Sequence, residues 1–192
     1  LIICPSSLRK QWVNELEDKF YLKSEVLDNV SYKKKSKAGI KNPFDSELTI
    51  KICSYEFAKK CAEEIQLTSW DLVVIDEAHY LRNAYKQGNV IAQTIQKAIK
   101  DYKKVLLTAT PLQNRLDELY GLVSFIDSEV FGDIKSFRRN YILESRNSDL
   151  NNLKERLSTI VHRTLRKDVK EFINYRERIP ITQQFTPTKE EQ

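Results

Sequence analysis

Two stretches of this 192-residue chain end an apolar run in side chains able to do chemistry. The first is Asp71-Leu72-Val73-Val74-Ile75-Asp76-Glu77-Ala78-His79, which closes on two adjacent carboxylates, a small residue and a histidine. Phosphoryl transfer asks for such a set: a carboxylate to hold a divalent cation and a polar group to orient an attacking water. Successive residues leaving a strand point in different directions, so Asp76 can face a metal while Glu77 faces a water. The plainer reading is a strand that ends in a solvated acidic turn. The second stretch, Lys104-Val105-Leu106-Leu107-Thr108-Ala109-Thr110-Pro111-Leu112-Gln113-Asn114, ends in two hydroxyls and a segment opened by proline. Hydroxyls there are suited to hydrogen-bond the histidine and carboxylates of a neighbouring strand. Either stretch alone is a weak signal, whereas both in this order are hard to ascribe to coincidence.

Side chains of this kind need a scaffold that presents strand ends at one edge. Strand-length apolar runs occur at Leu1–Cys4, Glu25–Leu27, Leu48–Cys53, Leu72–Ile75 and Val105–Thr108. Several are almost continuously apolar, as strands of a parallel sheet covered on both faces are. Between them run helical stripes: Leu8, Trp12, Val13, Leu16 and Phe20, then Val90, Ile91, Thr94, Ile95, Ala98 and Ile99. The alternation predicts an α/β fold with right-handed crossovers, and ligands in such a fold sit beyond the carboxyl ends of the strands. After Ile126 the pattern becomes helical, around Phe137–Leu143, Leu150–Val161 and Leu165–Ile173, and strand-like alternation returns at Ile179–Phe185. The expected organisation is an α/β body over 1–126, a helical insertion and connector over 127–178, and the opening of a second domain over 179–192.

Composition narrows the classes. With 32 basic and 27 acidic residues, a net charge of +5 and 41% hydrophobic residues, the chain is globular rather than disordered. No window approaches the ~18 uninterrupted apolar residues of a membrane span. The opening Leu1-Ile2-Ile3-Cys4 reads as a strand rather than a signal peptide, and the absence of any methionine suggests a piece of a longer protein. Cys4, Cys53 and Cys61 form no CxxC pair, which predicts buried reduced thiols with no disulfide partner and a cytoplasmic location. His79 and His162 stand far apart without an HExxH motif, so a zinc hydrolase is unsupported. Tyr32–Lys41 holds five lysines and no acid, which reads as a solubilising surface loop with some attraction for phosphates. Trp12 and Trp70 sit on apolar stripes and read as core. A phosphate-cradling GxxxxGK[ST] loop needs two glycines five apart before a lysine. Gly39, Gly88, Gly121 and Gly132 do not offer that spacing, so the chain contains no such loop.

Taken in order, these segments resemble the first RecA-like motor lobe of the Snf2 family, within helicase superfamily 2. Leu1-Ile2-Ile3-Cys4-Pro5-Ser6-Ser7-Leu8 with Trp12 is similar to motif Ia, and Ile52-Cys53-Ser54-Tyr55-Glu56 to motif Ib. Asp76-Glu77-Ala78-His79 matches the DEAH form of motif II, and Leu106 to Asn114 matches motif III. His162-Arg163-Thr164-Leu165-Arg166-Lys167-Asp168-Val169, followed by Ile179-Pro180, resembles the family's basic linker into its second lobe. Ala109 stands where many eukaryotic members carry glycine, which points to a bacterial branch.

The resemblance implies roles. Asp76 would hold Mg²⁺, largely through water, beside ATP, and Glu77 would act as base for the attacking water. His79, Thr108 and Thr110 would couple the nucleotide site to a duplex-DNA site. Pro5, Ser6 and Ser7 would meet phosphates of the tracked strand, with Ser54 and Tyr55 extending that track. Arg163, Arg166 and Lys167 would brace the second RecA-like lobe or touch DNA. Ser6 or Ser7 is expected to cap the helix at Leu8, whose free N–H groups favour an anion; both serines are also readable as ordinary caps with no ligand. The parent would be a DNA-stimulated ATPase that translocates on duplex DNA. Because the phosphate loop and the second lobe lie outside these residues, the chain alone is expected to be inactive. The alternative is a degenerate lobe kept as a non-catalytic DNA-binding or interaction module. A superfamily 2 helicase acting on RNA is a third reading.

Overall fold

The computed structural model describes residues 1–45, 49–110, 115–143 and 147–164. Five short strands carry the architecture: β1 Ile2–Cys4, β2 Ser24–Val26, β3 Ile50–Ser54, β4 Val73–Asp76 and β5 Lys104–Leu107. All pair in parallel, in the order β2-β3-β1-β4-β5. The expected α/β class is therefore observed. Helices α1 Arg9–Phe20, α2 Asn29–Lys37, α3 Tyr55–Lys60, α4 Ala62–Leu67 and α5 Val90–Ala98 supply the crossovers, and α6 Leu116–Ile126, α7 Ile134–Arg138 and α8 Asn147–Ser158 follow β5.

Alternation along the strands sorts the core into two layers. Ile2, Cys4, Ile52 and Val74 face one side and pack with Leu8, Trp12, Val13 and Leu16 of the α1 segment. Leu1, Ile3, Cys53, Val73 and Ile75 face the other, against Phe57, Ala58, Ile65, Ala92 and Ile95 of α3 to α5. The two predicted stripes thus form, although their outer ends, Phe20 and Val90, are exposed. Helix α1 stops where Tyr21 turns left-handed (φ 54°), its N–H bonding to Glu17 O at 3.2 Å and that of Leu22 to Leu16 O at 3.0 Å. Cys4, Cys53 and Cys61 are buried free thiols, and burial pushes Cys4 up to about 12.

Each strand is offset by one or two residues, at one end or both, from the range read in the sequence, and two differences from that reading have a clear physical reason. Strand β4 runs one residue further than its apolar run, because the ladder with β5 pairs Asp76 with Leu107. Most of the lysine tract is helix rather than loop: α2 carries it to Lys37, and only Ala38–Lys41 lie beyond the helix. Asp28 caps α2 by accepting the Val30 and Ser31 amides at 3.0 and 2.9 Å, while the Ser31 hydroxyl accepts from Asp28 N at 2.9 Å. The lysines then fall toward the helix carboxyl end, where the dipole favours them. Lys35 also has a packing role: it reaches Glu25 Oε1 at 2.8 Å, while Lys51, only 1% exposed, holds Oε2 at 2.6 Å. Burial raises the Glu25 pKa, but the hydrogen bonds from Lys35 and Lys51 outweigh it and hold the carboxyl below its ordinary range.

Beyond β5 the helical texture expected after Ile126 is present in α7, in a π-helical turn at Arg139–Leu143 and in α8. Phe131, Phe137 and Tyr141 pack there, with centroids 5.1 and 5.2 Å from Phe137. Helix α6 is tied to α7 by Asp117, whose buried carboxylate accepts from Arg138 Nε at 2.9 Å and from its terminal nitrogen at 3.0 Å, and from Arg115 at 3.0 Å. The compact body spans Leu1–Arg156, and a second unit begins at Leu157, described only as far as 164. The helix expected at Leu165–Ile173 and the strand expected at Ile179–Phe185 lie outside the described residues. Among the described residues no helix is long and apolar enough to cross a membrane.

Asp117 gives a test of how the helical part is fastened. The Arg138 hydrogen bonds hold its carboxyl below the ordinary range, so its contribution to stability is complete above the unfolded-state value of about 4 and is lost as pH falls through the depressed native value. Asp117→Asn is expected to cost about 2 kcal/mol in urea denaturation at pH 7. The gap to wild type should close in strong acid.

Candidate functional site

The site begins with the end of β4. Asp76 is the last paired residue, and each of its oxygens carries a defined contact. Oδ1 accepts the Glu77 amide at 2.9 Å, Oδ2 accepts the Trp12 indole N–H at 2.8 Å, and the backbone carbonyl accepts the Tyr55 hydroxyl at 2.5 Å. Tyr55 is 5% exposed. Burial, and then the negative charge of Asp76, push its hydroxyl far above the ordinary tyrosine range, so it stays a neutral donor.

The chain then reverses. Glu77 is left-handed (φ 53°, ψ 46°) and opens a 3₁₀ turn over Ala78–Leu81. For a residue with a Cβ this conformation costs about 1–2 kcal/mol, and it turns the chain out of the strand direction into the 3₁₀ turn. His79 Nδ1 comes within 2.9 Å of Glu77 Oε2, in ion-pair range, but off the line of a hydrogen bond, so the nitrogen has no hydrogen-bond partner. The imidazole stacks on Tyr80 at 4.6 Å, and Tyr80 lies 5.6 Å from Tyr55. Ala78 is fully buried under the turn. From behind, α6 presses on the turn through Gly121, where a Cβ would stand 1.9 Å from the Arg82 carbonyl oxygen. Only glycine allows that approach.

The neighbouring strand ends complete the edge. Register places Cys4 of β1 beside Ser54 of β3, and Ile3 beside Ile75 of β4, so Pro5, Ser6 and Ser7 emerge level with Asp76 and Tyr55. Pro5, Ser6, Ser7 and Tyr55 line one cleft together with Tyr80 and Asn89. Ser6 and Ser7 are exposed and sit inside a 3₁₀ turn closed by Leu8 N on Pro5 O at 2.9 Å. Neither caps α1, contrary to expectation, because the turn carries the chain directly into the helix and leaves no extended residue to reach back. Ser54 does cap: its hydroxyl accepts the Phe57 amide at 3.2 Å, and the residue is buried. Thr108 and Thr110 follow β5, with the Thr108 hydroxyl accepting the Thr110 amide at 3.2 Å. Among the described residues neither threonine is hydrogen-bonded to His79.

Arg163 is exposed in the unit that begins at Leu157, while Arg166 and Lys167 lie outside the described residues, as do Pro111 to Asn114. The sequence reading missed Trp12, Tyr80 and Gly121. Trp12 was read as part of an apolar stripe and placed with the motif Ia segment, but not as a partner of Asp76. Tyr80 had one available signal, its position directly after the histidine.

Residues 1–189 match the model of the SNF2-related domain family. An uncharacterised ATP-dependent helicase of Bacillus subtilis, YqhH, is 32% identical over 99% of this chain and 32% of its own length. The RNA polymerase-associated protein RapA of Yersinia pseudotuberculosis is 33% identical over 71% of this chain and 14% of its length. Chicken DNA repair and recombination protein RAD54B is 31% identical over 73% of this chain and 15% of its own. The chain thus spans a third or less of these relatives. Among solved structures, the Sulfolobus solfataricus SWI2/SNF2 ATPase core in complex with dsDNA superposes with a TM-score of 0.64 at 24% identity, covering 85% of this chain and 33% of that one. That likeness establishes the fold.

The left-handed backbone at Glu77 makes a measurable ordering. Glu77→Gly should be about 1 kcal/mol more stable than Glu77→Ala, the reverse of the order expected in ordinary helix or strand. Paired urea denaturation curves of the two variants check it.

Proposed function

The chain belongs to the SNF2-related family of helicase-like ATPase domains, and from that premise we propose that it forms the metal- and water-facing half of the first motor lobe of an ATP-driven duplex-DNA translocase. One observation carries the reading. The carboxylate expected to meet a metal stands locked at the carboxyl end of β4, and the exposed serines of β1 open into a cleft that reaches the same turn.

The donor set fits Mg²⁺ bound with ATP. Asp76 offers hard oxygen ligands, each engaged by a single N–H and so retaining a free lone pair. Among the described residues no group of three or more side-chain ligands converges, which suits an ion that keeps several waters and takes the rest of its shell from phosphate oxygens. When bound, the ion would offset phosphate charge. Asp76 holds its side of that shell in a fixed orientation. Glu77, turned out by its left-handed backbone, takes the proton of a water aligned for attack. His79 keeps the Glu77 side chain within ion-pair range and passes its position to Tyr80 and the cleft.

On the nucleic-acid side, Pro5, Ser6 and Ser7 receive backbone phosphates, and Tyr55 and Tyr80 form the wall behind them. Ser54 supports this track as a helix cap. Thr108 and Thr110 couple to His79 when nucleotide and DNA are both engaged. Residues 127–178 form the connector, and Arg163, Arg166 and Lys167 brace a second RecA-like lobe or touch DNA. The phosphate-cradling loop lies in a part of the protein outside these residues, so the chain alone neither binds ATP tightly nor hydrolyses it. The buried free cysteines suit a reducing cytoplasm.

The test is ATP hydrolysis by the full-length polypeptide with no nucleic acid, duplex DNA, single-stranded DNA or RNA, beside Glu77→Gln. Duplex DNA should stimulate most, Glu77→Gln should remove the stimulated rate, and the 192-residue chain should show no turnover. Stronger stimulation by RNA would replace the DNA assignment, and inactivity under every condition would leave a binding module.

A further inference from the structure

The indole of Trp12 performs a task that neither its apolar stripe nor the reaction described above requires. Its body packs with Ile2, Cys4, Leu16 and Ile52 on the α1 side of the sheet. Its Nε1–H, however, leaves that layer and donates to Asp76 Oδ2 at 2.8 Å, across 64 residues of sequence. An indole nitrogen can only donate, so it needs an acceptor at this distance and is satisfied best by an ionised carboxylate. The other oxygen, Oδ1, is held by the amide of the very next residue. With only that local bond, the carboxylate plane remains free to turn about its last torsion, which is broad for aspartate. With both bonds the plane is set, and each oxygen keeps a lone pair free.

We propose that Trp12 is the positioning residue for Asp76, holding its carboxylate in the orientation that the divalent cation requires. The proposal rests on the reading of Asp76 as the metal-facing carboxylate. The other tryptophan provides an internal control: Trp70 donates to the Ile65 carbonyl at 2.9 Å, on the opposite layer and away from Asp76. An outer-sphere partner of a metal ligand is worth about 10–100-fold in metal affinity or activity. Trp12 is therefore expected to govern the Mg²⁺ requirement rather than the maximal rate.

Two measurements decide it. In the 192-residue chain the two tryptophans give two indole N–H resonances in a ¹H–¹⁵N spectrum. Asp76→Asn should move one of them, that of Trp12, and leave that of Trp70. Unmoved resonances in a folded variant would overturn the proposal without any change at Trp12 itself. In the full-length polypeptide, Trp12→Phe keeps a ring in the packed layer and removes only the donor. It should raise the Mg²⁺ concentration for half-maximal ATP hydrolysis about tenfold, with the rate recovered at saturating Mg²⁺, while Trp70→Phe changes neither. An unchanged Mg²⁺ dependence in Trp12→Phe, with Asp76→Ala inactive, overturns the role of Trp12 and leaves the function standing. Full activity in Asp76→Ala would instead overturn the reading of Asp76.

Discussion

Three hydrogen bonds converge on Asp76, and together with the β5 ladder they hold several segments of the fold to one point. The Trp12 bond brings in α1, the Tyr55 bond brings in α3 at the end of β3, the backbone ladder brings in β5, and the bond from Glu77 sets the direction in which the chain leaves. A strand end is ordinarily the loosest part of a sheet, because its last groups lack ladder partners. Here those groups are engaged from both layers, one from each face. That double anchorage allows the next residue to adopt a left-handed backbone and keep it. It also makes the turn over Ala78–Leu81 a rigid object rather than a surface loop, wedged between Ala78 buried below and the backbone of Gly121 behind.

On the proposed reading, the same geometry would let one edge serve two ligands. Sheet order places β1 between β3 and β4, so the ends of these three strands are neighbours although long connections separate them in the chain. The carboxylate pair belongs to β4, the exposed serines to β1, and Tyr55 to the segment after β3, in contact with both. Tyr80 and His79 stack across the gap between Glu77 and the cleft. The cleft wall and Glu77 are thus linked by a short series of contacts, through the Tyr55 and Tyr80 rings and the His79 imidazole.

The strands were legible in the sequence because a parallel sheet packed between helices writes near-continuous apolar runs, and so was the placement of Asp76, Glu77 and His79 at the end of one of them. The one-residue extension of β4 was not legible, since pairing with Leu107 rather than hydropathy decides it. The lysine tract shows a signal overlooked: Asp28 and Ser31 spell a helix start just before it, and charge density masked the cap. Ser6 and Ser7 show the converse, cap-forming residues that do not cap because the turn around them is 3₁₀. The Trp12–Asp76 bond could not be read at all. It depends on the crossing of α1 over the sheet, a property of packed layers rather than of local sequence. Arg166, Lys167 and the predicted tail strand fall outside the described residues.

On the proposed reading, the carboxyl edge of this sheet joins a nucleotide-facing carboxylate pair to a DNA-facing cleft. Amide hydrogen exchange of the full-length polypeptide, with duplex DNA alone and then with a non-hydrolysable ATP analogue and Mg²⁺, tests it most directly. DNA alone should slow exchange at Ser6–Leu8 and also in the Glu77–Leu81 turn, and the nucleotide should add protection in the turn. Protection by DNA confined to segments away from this edge, with the turn unchanged by either ligand, would contradict it.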